Sequence, residues 1–273
     1  MVRRNFADRL VERGVDVKLE FRRILKLFYE ETFSTHSNPF DRIVYCIDRR
    51  FRELPSSNRA LSLEDFENYY GYNFHGISNP TLDDLLDICE YCFNFAYEYR
   101  ELNYNCELRR YFCPKEIHHI IKQISDVIEA IGYMPVKYNR QTVFVEKSPA
   151  AVSVSEILEG DIALETLFYN HHSMKGDIMG KRKMLLMMAN WLEGEGRRDE
   201  LDKIDSKLRV NLFYLFNNFN IRHNNSDTTA HLTEAELEEI YDDTYQLWLL
   251  AVLTLDNRER QKKYEEMRKS GNT

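Results

Sequence analysis

Nowhere does the sequence approach the roughly 18 uninterrupted apolar residues that a membrane-crossing helix requires, and its first stretch, MVRRNFADRLVERGVDVKLEFRR, is charged throughout. Neither a membrane span nor a secretory signal is expected, and the expected location is the cytoplasm. Cysteine is scarce: Cys46, Cys89, Cys92, Cys106 and Cys113 are odd in number and confined to the first half. Without a secretory signal, reduced thiols are the default. An excess of positive charge is also missing, because 37 basic against 45 acidic side chains leave a net charge of −8. No global field draws this chain onto nucleic acid or anionic lipid, so any RNA site must be a local patch. Internal repeats and low-complexity tracts are absent.

What the sequence has is apolar content in helical period. At 43% hydrophobic and 13% aromatic over 273 residues, there is ample material for one large core or two ordinary ones. Val17, Phe21, Ile24, Leu25 and Phe28 share a helical face, as do Ile43, Ile47 and Phe51. Thr81 can cap a helix carrying Leu82, Leu85, Leu86, Cys89, Phe93 and Ala96. Pro114 suits the first position of another, through Ile117, Ile120, Ile121, Ile124, Val127, Ile128 and Ile131, ended by Gly132. The period then becomes alternating: Met134, Val136 and Tyr138, then Val143 and Val145, flank Asn139-Arg140-Gln141, which predicts a β-hairpin over about 133–147.

Ser148-Pro149 follows the hairpin, and we set a boundary near residue 150, giving a helical domain over 1–150 and a second domain over 151–273. The second domain reads as four helical segments, roughly 153–172, 177–195, 198–222 and 234–268, the pattern of a four-helix bundle. The expected class is mainly α. After residue 150 there are 16 basic and 22 acidic side chains, so most of the negative charge lies there.

Between the last two segments the chain reads NNFNIRHNNSDTTAHLTEAELEE, from Asn217. Thr233 and Glu236 have capping-box spacing, and Leu232 can staple against Leu237. The loop is thus limited to about 223–232, which brings Arg222, His223 and His231 to one end of an antiparallel helix pair. IRHNN at the end of a long amphipathic helix, followed by an acidic and then apolar helix, resembles the HEPN superfamily (higher eukaryotes and prokaryotes nucleotide-binding). The likeness spans roughly residues 150–260.

That resemblance implies a metal-independent endoribonuclease without cofactor, of the kind found in bacterial toxin and abortive-infection systems. It further implies a homodimer whose two motif copies face one cleft, RNA as substrate, and a possible antitoxin or defence-system partner. Under it Arg222 binds phosphate, His223 or His231 transfers protons, and Asn224 and Asn225 bind substrate. The family's usual pattern puts about four to six residues between arginine and histidine, whereas eight separate Arg222 from His231. Three alternatives follow: His231 reaches in from a longer loop, His223 carries the protons, or the protein is an inactive dimerisation or ligand-binding module. Without the resemblance, Arg222 could offset a helix carboxyl end and the asparagines could terminate the helix.

Other motifs point less far. KGDIMGKRK (175–183) lacks the glycine spacing and the hydroxyl residue of a phosphate-binding loop. It reads as a helix start with Lys181, Arg182 and Lys183 on a solvated basic face, or as residues that hold an RNA backbone. Cys89 and Cys92, with Cys106 and Cys113, could gather zinc, but Cys89 shares an apolar stripe with Leu85 and Leu86, so a small buried hydrophobe is the simpler reading. His118-His119 and His171-His172 lack the i, i+4 spacing of helix metal ligands. Glu234 to Asp243 reads as charge at a helix start followed by a solvated face. YYGYNFHG (69–76) reads either as an aromatic loop folding back onto its own domain or as rings for stacking on RNA bases.

Overall fold

The computed structural model describes residues 14–34, 40–104, 114–223, 229 and 231–270. The fold is mainly α with one two-stranded hairpin. The chain forms two compact units, Met1–Phe144 and Val145–Thr273, so the division falls within the hairpin's second strand. Among the described residues, no helix is long and apolar enough to cross a membrane.

In the first unit the order is α1 (Val17–Tyr29), α2 (Ile43–Asp48), α3 (Leu63–Tyr70), α4 (Leu82–Tyr104), α5 (Lys115–Ala130), β1 (Tyr133–Tyr138) and β2 (Gln141–Glu146). The helix starts follow from side chains that accept otherwise orphaned N–H groups. Asp16 accepts from Leu19 N at 3.0 Å, and Ser62 from Asp65 N at 3.1 Å. Thr81 and Asp84 cap α4 reciprocally, with Thr81 N to Asp84 Oδ2 at 2.7 Å and Asp84 N to Thr81 Oγ1 at 3.3 Å. Packing of α4 against both α1 and α5 buries Phe21, Ile24 and Phe28 among Leu85, Leu86, Cys89, Cys92, Ile117, Ile120 and Ile124.

The hairpin turns on Asn139 and Arg140, both at positive φ (47° and 71°), the two-residue geometry whose twist matches antiparallel strands. Its burial departs from the sequence expectation: β2 buries Thr142, Phe144 and Val145, while Val143 is half-buried. Two side chains one turn apart on α4 explain this. The Asn94 amide bonds both N and O of Thr142 at 2.7 Å, and Glu90 Oε1 accepts from Phe144 N at 2.6 Å. They satisfy an edge that would otherwise expose unpaired backbone.

In the second unit α6 (Pro149–Ile157), α7 (Asp161–Phe168), α8 (Ile178–Glu193), α9 (Arg197–Ile204) and α10 (Ser206–Asn218) surround α11 (Glu234–Ser270). The last packs against α6, α8, α9 and α10 through fully buried Tyr241, Tyr245, Trp248, Ala251 and Val252. Two of the four expected segments are each divided. The segment 153–172 breaks at Gly160, whose φ of 69° a helix does not accommodate. The segment 198–222 breaks at Asp205 (φ −146°, ψ 87°), whose carboxylate captures Leu208 N at 2.9 Å and starts α10 anew. Asp205→Ala is expected to destabilise this unit by about 1 kcal/mol. Both tryptophans, Trp191 and Trp248, belong to this unit, so a urea titration followed by tryptophan fluorescence reads that loss directly.

Candidate functional site

The chain leaves α10 through a tightly anchored arm. Tyr241 of α11 donates its hydroxyl to Phe219 O at 3.0 Å, Asn220 takes a left-handed φ of 59°, and Ile221 is fully buried. Arg222 N returns to Phe216 O at 3.0 Å, closing the helix end. Asn220 Nδ2 also donates to Thr229 Oγ1 at 2.6 Å, clasping the first arm to the second. Because Ile221 is locked into the core, Arg222 emerges at its edge half-buried and His223 is exposed.

The guanidinium of Arg222 is aimed by two acceptors: Glu193 Oε2 lies 2.6 Å from Nη2 and Asn217 Oδ1 lies 3.3 Å from Nη1. Glu193 is the last residue of α8, where a carboxylate meets the negative end of the helix dipole, so Arg222 offsets both. Side-chain exposures of 21% for Arg222 and 29% for Glu193 leave the pair accessible from solvent. An arginine carries five N–H donors in a rigid fork, so these two acceptors leave donor capacity for an oxyanion.

On the second arm His231 is exposed and sits just before the capping box. There Thr233 N reaches Glu236 Oε2 at 2.8 Å, and Glu236 N reaches Thr233 Oγ1 at 3.2 Å. The Glu236 carboxyl is held below its ordinary value by the Thr233 N–H, then by the Thr233 hydroxyl, with a smaller contribution from His231. Asn224 and Asn225 lie outside the described residues.

The basic run 181–183 is not a uniformly solvated face. Lys181 is 5% exposed, with Nζ 2.8 Å from Glu238 Oε1 and 2.6 Å from Asp242 Oδ1. Asp242 also accepts from the Tyr169 hydroxyl at 3.0 Å, and Glu238 from Gly176 N at 2.7 Å. Two members of the acidic run 234–243 are thus spent inside the unit. Burial raises the Glu238 carboxyl, but the Gly176 N–H and the Lys181 ammonium outweigh it and hold the group below its ordinary value. Burial, followed by the charge of Asp242, pushes the Tyr169 hydroxyl well above the usual tyrosine range. Arg182 is half-buried and Lys183 exposed. Helical spacing explains the exception, since Lys181 leads Leu185 and Met188 at i+4 and i+7, and all three are buried.

Cys89 and Cys92 are fully buried in the first core, where burial pushes both thiols up and keeps them protonated; Cys106 and Cys113 lie outside the described residues. His118 and His119 are exposed on α5. His171 is buried, with Nδ1 2.7 Å from Ser173 Oγ.

Comparison with known proteins yields no match to any family model, to any curated protein or to any solved structure. The residues around Arg222 that sequence reasoning missed are Glu193 and Asn217. Asn217 lies five positions before the arginine and was within reach of a local argument. Glu193 is 29 positions away, and nothing local pairs it with Arg222.

Proposed function

We propose that the second unit is a HEPN-type, metal-independent endoribonuclease that cuts RNA by 2′-hydroxyl attack, in the manner of bacterial toxin and defence effectors. The observation that carries this reading is an accessible arginine, fixed in direction by Glu193 and Asn217, one residue before an exposed histidine and on a loop clasped to the arm that bears a second. In RNA the nucleophile is supplied by the substrate: the 2′-oxygen attacks the adjacent phosphorus, its proton passes to a base, and the 5′-oxygen leaves with a proton from an acid. The products are a 2′,3′-cyclic phosphate and a 5′-hydroxyl. The protein need only move protons and steady the phosphorane oxygens. Histidine suits the first task and the arginine fork the second. A homodimer would supply two copies, one histidine as base and its mate as acid.

One observation favours a second reading, an inactive HEPN-like module for dimerisation or ligand binding: the Glu193 carboxylate already shares the charge of Arg222. Cleavage of a single-stranded RNA in the presence of a chelator decides between them. The wild type is expected to cleave, and whichever of His223→Ala and His231→Ala removes the proton carrier is expected to lose about a hundredfold. No cleavage by the wild type, or equal rates in both variants and the wild type, would sink the nuclease reading.

A further inference from the structure

YYGYNFHG divides in two. Phe74 is buried and Tyr72 stacks on it at 5.4 Å, so the second part folds back onto its own unit. The first part does not: Tyr69 is 80% exposed and Tyr70 49%. α3 is pinned by buried Leu63 and Phe66, and Tyr70 packs its ring 4.5 Å from Phe66 while its hydroxyl oxygen accepts from Asn58 Nδ2 at 3.1 Å. Tyr69 stands edge-on to Tyr70 at 4.9 Å. Between these rings and the preceding loop lies a cavity of about 540 Å³ lined by Asn58, Arg59, Ala60, Asp65, Tyr69 and Tyr70.

Three features give this cavity a chemical character. Arg59 is exposed and, among the described residues, makes no hydrogen bond or ion pair, so its fork is available to an anion. Asp65, on α3, also lines the cavity; its Oδ2 accepts from Leu61 N at 2.8 Å, and its carboxylate retains acceptor capacity for hydroxyl donors. Asn58 holds φ 51° and ψ −117°, a conformation that costs energy for any residue with a side chain. It is sustained by its bond to Tyr70 and by Ser56, which donates N to Glu98 Oε2 at 3.0 Å and its hydroxyl to Glu98 Oε1.

A flat π surface, a hydroxyl acceptor and an unpaired guanidinium in one cleft match base, sugar and phosphate. We propose that this pocket binds a nucleoside phosphate, with the base on Tyr69, a sugar hydroxyl on Asp65 and the phosphate on Arg59. The ligand is either a free mononucleotide or one nucleotide of a single strand. The volume falls in the range of small-ligand sites, and stacking on exposed aromatics with arginine support is how proteins hold single-stranded bases.

Two probes separate the sources: adenosine monophosphate by calorimetry, and a fluorophore-labelled octaadenylate that keeps its 2′-hydroxyls for Asp65, by anisotropy, with the strand verified as intact on a gel. Tyr69→Ala is expected to weaken binding roughly tenfold. Arg59→Ala is expected to do likewise and to flatten the salt dependence of strand binding by about one phosphate contact. Both side chains are exposed, so circular dichroism is expected to be unchanged. Binding of the mononucleotide with this dependence identifies a free nucleotide as ligand; binding of the strand alone with it identifies single-stranded nucleic acid. Failure of both probes to bind the wild type, or affinities that either substitution leaves unchanged, overturns the assignment.

Discussion

Replacing Arg222 with alanine is expected to lower RNA cleavage by about a hundredfold to a thousandfold, the range seen when one donor to a developing oxyanion is removed. The same change is expected to leave folding nearly intact. Its main partner, Glu193, is 29% exposed on its side chain and regains water when the arginine goes, so the stability cost is held to about 1 kcal/mol or less. Measuring the two together gives the prediction its force. If the rate fell only as far as the folded fraction, Arg222 would be a strut at the end of α8 and the inactive-module reading would take over. Arg222→Lys sharpens the point, because lysine keeps the charge but not the planar fork. It is expected to recover no more than about a tenth of the wild-type rate, and full recovery would mean that charge alone is needed. As a control on the chemistry, a substrate with 2′-deoxyribose at the scissile position is expected to remain intact, since the nucleophile is gone.

Why the arginine was visible in the sequence while its surroundings were not has a physical answer. Caps and periods are local: Thr81 and Thr233 find their partners three residues away, and the apolar stripes of α1, α4 and α5 repeat within a few turns. The same signals put Arg222 at the end of the third helical segment, whereas α10 ends at Asn218 and Arg222 lies on the arm beyond it. The helix breaks at Gly160 and Asp205 were also local in cause, but a single glycine or aspartate is tolerated in many helices, and only tertiary packing selects the break. The least legible features depend on residues far apart in sequence. Glu193 meets Arg222 across 29 positions, and Lys181 meets Glu238 and Asp242 across 57 and 61. A basic run and an acidic run, each read alone, look like solvated faces. Only the parallel course of α8 and α11, fixed by pairs such as Trp248 Nε1 to Met188 O at 3.1 Å, turns part of each toward the other.

That buried cation is a place where one substitution should cost the second unit heavily. Lys181→Met keeps the apolar stem, so little packing is lost, but it leaves Glu238 and Asp242 facing each other's charge without a cation between them. Breaking a buried pair by removing one partner costs about 3–5 kcal/mol. The side chains of Glu238 and Asp242 are 22% and 36% exposed, and water recovers part of that, so the expected loss at neutral pH is about 2–4 kcal/mol in urea titrations followed by tryptophan fluorescence. The sign of the pH dependence separates this electrostatic account from a packing defect. In the wild type, burial works against ionisation of Glu238, yet the Gly176 N–H and Lys181 hold its carboxyl below the ordinary value of 4.5. A carboxyl depressed in the folded state adds stability that is complete above its unfolded value and is lost as pH falls through the folded one. Wild-type stability from this group therefore declines below about pH 4.5. In Lys181→Met one of the three depressing partners is gone, the Gly176 N–H and the Lys175 charge being left, while the burial remains, so protonation of Glu238 costs the variant less than it costs the wild type. The gap between the two proteins is expected to narrow steadily as pH is lowered below that value. A gap that stayed constant from neutral to acid pH would assign the loss to packing and remove the ion-pair explanation.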